Sequence, residues 1–184
     1  MKKTIITFIF LQNMLTLAVS QNIQPPAAGN SVVYFVRESA LGLVINFSHF
    51  DNDKFIGKFD GADYLRYECA PGEHVFWAKA ENRDFITADL EPGKVYFVEV
   101  FPQMGMIKAS VQLNPVKPDD AKTIKGILKL MSKRTPVTYP PEEIVAENER
   151  LQEAIAKGLT RYQEDVKNGV PFKKIEKSMF YINL

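Results

Sequence analysis

The sequence predicts a mainly β chain, an antiparallel β-sandwich of seven or eight strands with a C-terminal two-helix extension. Three observations lead there. Apolar runs rich in Val, Ile, Phe and Tyr recur about every ten residues from Ser31 to Val116. Turn-forming residues separate them. After Pro118 the apolar spacing changes from every second residue to the alternating three and four of a helix.

Residues 1–20 read as an export signal. Met1-Lys2-Lys3 supplies a positive start, Ile5 to Leu17 an apolar stretch, and Ala18-Val19-Ser20 a small-x-small site, placing cleavage between Ser20 and Gln21. The stretch is short for a helix crossing about 30 Å of hydrocarbon. No Cys stands at the site to take a lipid. The expected product is exported, periplasmic or secreted, soluble after cleavage and without a membrane span. Residues 21–30, rich in Pro, Ala and Gly, form an extended lead-in.

Residues 31–116 are expected to form the sandwich. The runs are Val32 to Val36, Leu41 to Phe47, Phe55 to Phe59, Tyr64 to Cys69, His74 to Ala80, Phe85 to Leu90, Val95 to Phe101 and Ile107 to Leu113. Alternation gives two of them one wet face. Leu41, Leu43, Ile45 and Phe47 oppose Asn46 and Ser48, while Ile107, Ala109, Val111 and Leu113 oppose Lys108, Ser110 and Gln112. Val32 to Val36 and Val95 to Val100 are almost continuously apolar, as strands covered on both faces are. Reversals are assigned to Asp51-Asn52-Asp53, Asp60-Gly61-Ala62-Asp63, Pro71-Gly72, Glu81 to Asp84 and Pro92-Gly93.

Residues 117–184 are expected to be a helical extension. Asp119 or Asp120 caps a short helix carrying Ile124, Ile127, Leu128 and Met131 on one face. Thr135 to Pro141, with three prolines, links it to a longer helix that opens at Pro141 with acidic residues and stops before Asn168-Gly169. The stripe of that helix is Ile144, Leu151, Ile155, Leu159, Tyr162 and Val166. It should dock, with the second face of the Val32–Val36 and Val95–Val100 strands as first choice and self-association into a homo-oligomer as the alternative.

Composition and motifs narrow the chemistry. Twenty-three basic and 22 acidic side chains, with no long like-charge block, argue against nucleic acid as a partner. The one cysteine, Cys69, excludes an internal disulfide and reads as a small core residue. His49 and His74 lie near Asp51, Asp53 and Glu73, but without the spacing that gathers metal ligands, and Asp51-Asn52-Asp53 lacks the rest of a calcium loop. No nucleophile elbow or phosphate-cradling glycine cluster occurs, so neither catalytic residues nor a cofactor are assigned. Trp77 is placed on the face opposite Phe76, as core or as part of an aromatic binding row.

Four segments carry a family resemblance: Phe55-Ile56-Gly57-Lys58-Phe59, Asp60-Gly61-Ala62-Asp63-Tyr64-Leu65, Ala70-Pro71-Gly72-Glu73-His74 and Pro92-Gly93-Lys94-Val95-Tyr96-Phe97-Val98, with Val32 to Arg37 before them. Over roughly residues 31–113 the chain resembles the bacterial putative-lipoprotein β-sandwich family of unknown function. The resemblance implies a β-sandwich exported to the cell envelope, with no catalytic residues to carry over. The chain departs from many members in having no lipid-accepting Cys, and the helical extension lies outside the resemblance. The expectation is a non-catalytic binding or structural module whose partner is an unidentified protein or envelope ligand. The competing reading is a small secreted hydrolase using acidic residues and His74.

Overall fold

The computed structural model describes residues 23–39, 45–104 and 109–182. The signal segment with its Ser20–Gln21 junction lies outside them, as do Leu41, Leu43 and Ile107 of the expected strand faces.

The described chain is mainly β. Its strands are β1 (Ser31–Arg37), β2 (Phe47–Asp51), β3 (Lys54–Phe59), β4 (Asp63–Cys69), β5 (Gly72–Lys79), β6 (Arg83–Leu90), β7 (Val95–Met104) and β8 (Ala109–Pro115). Helices α1 (Ala121–Met131) and α2 (Pro141–Lys167) follow, and then a short β9 (Lys173–Ile175). One sheet has the order β4-β1-β7-β8 and the other β3-β2-β5-β6-β9. Both are mixed, not purely antiparallel as expected, because β1 pairs parallel with β7 and β6 parallel with β9. A side-chain period of two is the same whichever way a neighbour runs, so the pattern could not show this. The extension is likewise not wholly helical, since β9 completes the second sheet.

Between the sheets lies the main core, with Val33, Phe35, Leu65, Tyr96 and Val98 from one side and Phe47, Phe76, Ala78, Ile86 and Leu90 from the other. Each sheet's outer face is covered as well. β1 and β7 occupy the centre of their sheet, and Val32, Tyr34, Val36, Val95 and Phe97 pack beneath Ile127 and Met131 of α1. Asp120 caps that helix by accepting a hydrogen bond from the Thr123 amide at 3.0 Å. The continuous apolar runs thus receive the second cover they require, but from the short helix rather than the long one.

The long helix docks on the opposite sheet. Leu151 and Ile155 pack with Phe50, Phe55, Trp77 and Phe85, joined by Ile144, Leu159 and Tyr162. Val166, included in the expected stripe, is instead exposed. From Asn148 to Tyr162 the helix rises about 21 Å, enough to cross the sheet from the β3 edge to β6. Asn148 meets the β3 edge by accepting the Phe55 amide hydrogen at 2.7 Å, and Tyr162 reaches Phe85 with ring centroids 5.6 Å apart. Midway, Gly158 lies on Trp77, where a Cβ would stand 2.5 Å from the indole. A methyl group there would push the helix off the sheet.

Three of the four sheet edges are capped by side chains or by the linker. The Asn82 amide donates to the Val111 carbonyl and accepts from its N–H, and Asp84 accepts from the Leu113 amide, so β8 meets side chains where a further strand would pair. On β4, the linker residue Val137 donates to the Tyr64 carbonyl. On β3, Tyr139 donates to the Lys58 carbonyl at 2.8 Å.

Candidate functional site

At one end of the sandwich the chain passes from the first sheet to the second through Ala70-Pro71-Gly72, with Gly72 at φ 108°, a conformation that favours glycine. This turn brings the C-terminal end of β4 beside the start of β5 and the end of β2. Four side chains meet there, namely Asp51, Tyr67, Cys69 and His74.

Asp51 is the hub. Its carboxylate accepts from the Tyr67 hydroxyl at 3.0 Å, from the Asn52 side-chain amide at 3.0 Å, and from His74 Nδ1 at 2.9 and 3.0 Å. His74 Nε2 lies 2.9 Å from the Ala70 carbonyl oxygen, which can only accept. Both ring nitrogens therefore donate, and the ring is an imidazolium. The hydrogen bond to Asp51, helped by one to Cys69, lifts its pKa to about 10 against the cost of burial. Burial, then the Asp51 carboxylate, pushes the Tyr67 phenol far upward, so it remains a donor. The imidazolium stacks on Phe76 with centroids 5.2 Å apart and planes 3° from parallel. With 12% and 8% of their side-chain surfaces exposed, His74 and Asp51 form a nearly buried ion pair that holds β2 to β5, while Tyr67 holds both to the other sheet.

His49 has the opposite surroundings. It is completely buried between the sheets, stacked on Phe59 at 4.8 Å and close to Phe35 at 5.5 Å. Neither ring nitrogen has a hydrogen-bond partner among the described residues. Burial, with Arg37 nearby, lowers its pKa to about 3, so the ring is neutral.

The residues weighed from the sequence thus separate. His49 is core, His74 and Asp51 are joined, and Asp53 and Glu73 are exposed. Among the described residues no group of three or more His, Cys, Asp or Glu side chains is arranged to hold a metal ion. Cys69 is buried, as its strand position suggested. Trp77 lies wholly beneath α2, with its indole N–H donating to the Asn52 carbonyl at 2.8 Å, so it belongs to the core and not to an exposed binding row. Asp51 is a correction: read as one residue of a solvated turn, it is 6% exposed, and the turn proper begins at Asn52.

Beside His74 a cleft of about 510 Å³ opens on the outer face of the second sheet, where Asn52, Glu73, Thr87, Asp89, Tyr162 and Lys174 reach it. Glu73 and Asp89 stand directly opposite across β5 and β6. Like charges in that relation oppose pairing, and Lys177, 3.6 Å from Asp89, offsets part of the repulsion.

No protein-family model matches the chain. It is similar to an uncharacterized protein of Haemophilus influenzae, 29% identical over 115 residues, which are 60% of this chain and 66% of the relative. The match thus spans just under two thirds of the relative's length. Among the described residues no helix is long and apolar enough to cross a membrane.

Proposed function

We propose that this chain is an exported, non-catalytic binding or structural module of the bacterial cell envelope, akin to the putative-lipoprotein β-sandwich family it resembles, with the cleft beside His74 as its ligand-facing surface. The observation that supports the non-catalytic part of this reading is the full engagement of His74. A general base needs an unprotonated nitrogen within reach of the proton it removes. Here one nitrogen is held by a carboxylate, the other by a carbonyl, and the ring stays protonated at neutral pH. Burial weighs against Cys69 as a nucleophile, since reactive thiols sit in partly exposed surroundings.

Two measurements test the proposal. A hydrolase screen of the purified protein should yield no turnover that depends on His74, and reproducible turnover abolished by His74→Gln would overturn the non-catalytic reading. Export is tested by mass spectrometry of the protein from its native host. A mature chain beginning at Gln21, without added lipid, is expected. An intact Met1 or a lipid-sized increment would contradict it.

A further inference from the structure

The two helices that cover the sandwich carry opposite charge. From Lys117 to Arg134, around α1, six basic side chains face two acidic ones. Along α2 seven acidic side chains outnumber four basic ones. As the helices lie on opposite outer faces, the two helical layers carry opposite net charge, positive around α1 and negative along α2, with Glu38 and Glu99 near Asp120 on the α1 side.

The positive charge is also ordered. Within α1, Lys122, Lys125 and Lys129 follow one another at intervals of three and four, which places them on a single stripe, and Lys133 follows two residues beyond the end of the helix. That stripe lies opposite Ile127 and Met131, the residues buried against the sheet, and all four lysines are exposed. Neither they nor Lys117 and Arg134 take part in an ion pair among the described residues. The acidic residues of α2 behave differently, since Glu147, Glu153 and Asp165 are each paired with a basic side chain. Along one flank of the lysine stripe runs an open groove of about 400 Å³, lined by Pro118, Ile124, Leu128, Tyr181 and Ile182. Ile182 is 68% exposed there.

From these observations we infer that the α1 face is a docking surface for an anionic phospholipid bilayer. A stripe of four to eight Lys or Arg on an amphipathic helix is drawn to anionic headgroups, and adjacent exposed aliphatic side chains can enter the interface. The net negative face of α2 would point away. The protein would lie on the membrane without spanning it. Each basic group near such a surface contributes roughly a fivefold gain in partitioning.

The test is co-sedimentation of the full chain with vesicles of phosphatidylcholine alone, or with about a third phosphatidylglycerol, compared with the variant Lys122→Gln/Lys125→Gln/Lys129→Gln/Lys133→Gln. The four positions are exposed, and circular dichroism confirms that the variant is folded. Any insertion of the apolar N-terminal run is common to both proteins, so the readout is the preference for anionic over neutral vesicles. The expected result is a clear preference, reduced about a hundredfold or more in the variant and lost at about 1 M salt, where the Debye length falls to about 3 Å. Neutralising Glu142, Glu143 and Glu149 of α2 to Gln should leave the preference in place. An unchanged preference in the variant, equal binding to both vesicles, or stronger binding to duplex DNA at the same salt would overturn the inference.

Discussion

The middle of the sandwich and its end at the β4–β5 turn treat the same side chain in opposite ways. His49 and His74 both point from the second sheet toward the first, yet one is a neutral ring between Phe35 and Phe59 and the other a cation held by Asp51. Burial alone favours the neutral imidazole, as at His49. Bringing a carboxylate to 2.9 Å reverses the sign at His74. What decides the state of a half-buried histidine in this fold is therefore whether a strand end places an acid beside it.

The largest effect should come from removing that acid. Asp51→Ala leaves the His74 imidazolium nearly buried without its counter-charge and deprives Tyr67 and Asn52 of their acceptor. The expected loss is about 3–5 kcal/mol in denaturant unfolding, together with a fall in the His74 pKa. A loss below about 1 kcal/mol would place the pair with the weak ion pairs of protein surfaces.

Next comes the pH dependence, in which the two regions act on opposite limbs. The His74 pKa is raised to about 10 from an ordinary 6.5, so its contribution is complete below about pH 6.5 and is lost as pH rises through 10. The His49 pKa is lowered to about 3, so its neutral ring costs nothing extra above about pH 6.5, and stability falls as pH drops toward 3. Together they place a stability maximum near pH 6.5, with each limb worth a few kcal/mol at about 1.4 per pH unit. Unfolding curves at about pH 4, 6.5 and 9.5 measure both limbs. His49→Leu should flatten the acid limb only, and His74→Gln the alkaline limb only.

A smaller effect, of opposite sign, is expected at His49 itself. Replacing it with Leu keeps an apolar side chain between Phe35 and Phe59 and removes two ring nitrogens that lack partners among the described residues. At pH 7 this should stabilise the fold by about 1 kcal/mol. Destabilisation by more than that would mean that the imidazole makes a contact its burial among aromatic rings does not reveal.

Much of this architecture is legible in the sequence where local chemistry decides it. Pro141 opens α2 and Asn168-Gly169 follows its end, the Pro71-Gly72 and Pro92-Gly93 reversals fall where expected, and Phe76 and Trp77 face opposite sides of β5. Pairing is less legible. The direction of β1 against β7 leaves no mark on side-chain period, and β9 is three residues whose partner lies more than eighty residues earlier. Both outer faces ask for cover, and it is the packing, with Gly158 lying on Trp77, that shows which helix goes where.

The site is less legible still. Asp51 is 16 residues from Tyr67 and 23 from His74, and an Asp followed by Asn and Asp reads as a turn until strand register places it. The available signal was the full sheet pairing, with Asp51 opposite both Phe76 and Lys54. Opposite charge on the two helical layers could be counted from the start, but it became a contrast between two faces only once the layers were known to lie on opposite sides.

The most direct test of the proposal that His74 is a fixed structural cation, and not a base, is a nitrogen-15 NMR titration of the two imidazoles in the folded protein. His74 should keep the doubly protonated signature through about pH 6–8 and titrate near 10, while His49 stays neutral down to about pH 3. A His74 that titrates at or below its ordinary 6.5, with one nitrogen unprotonated at neutral pH, would contradict the structural role and restore the hydrolase reading.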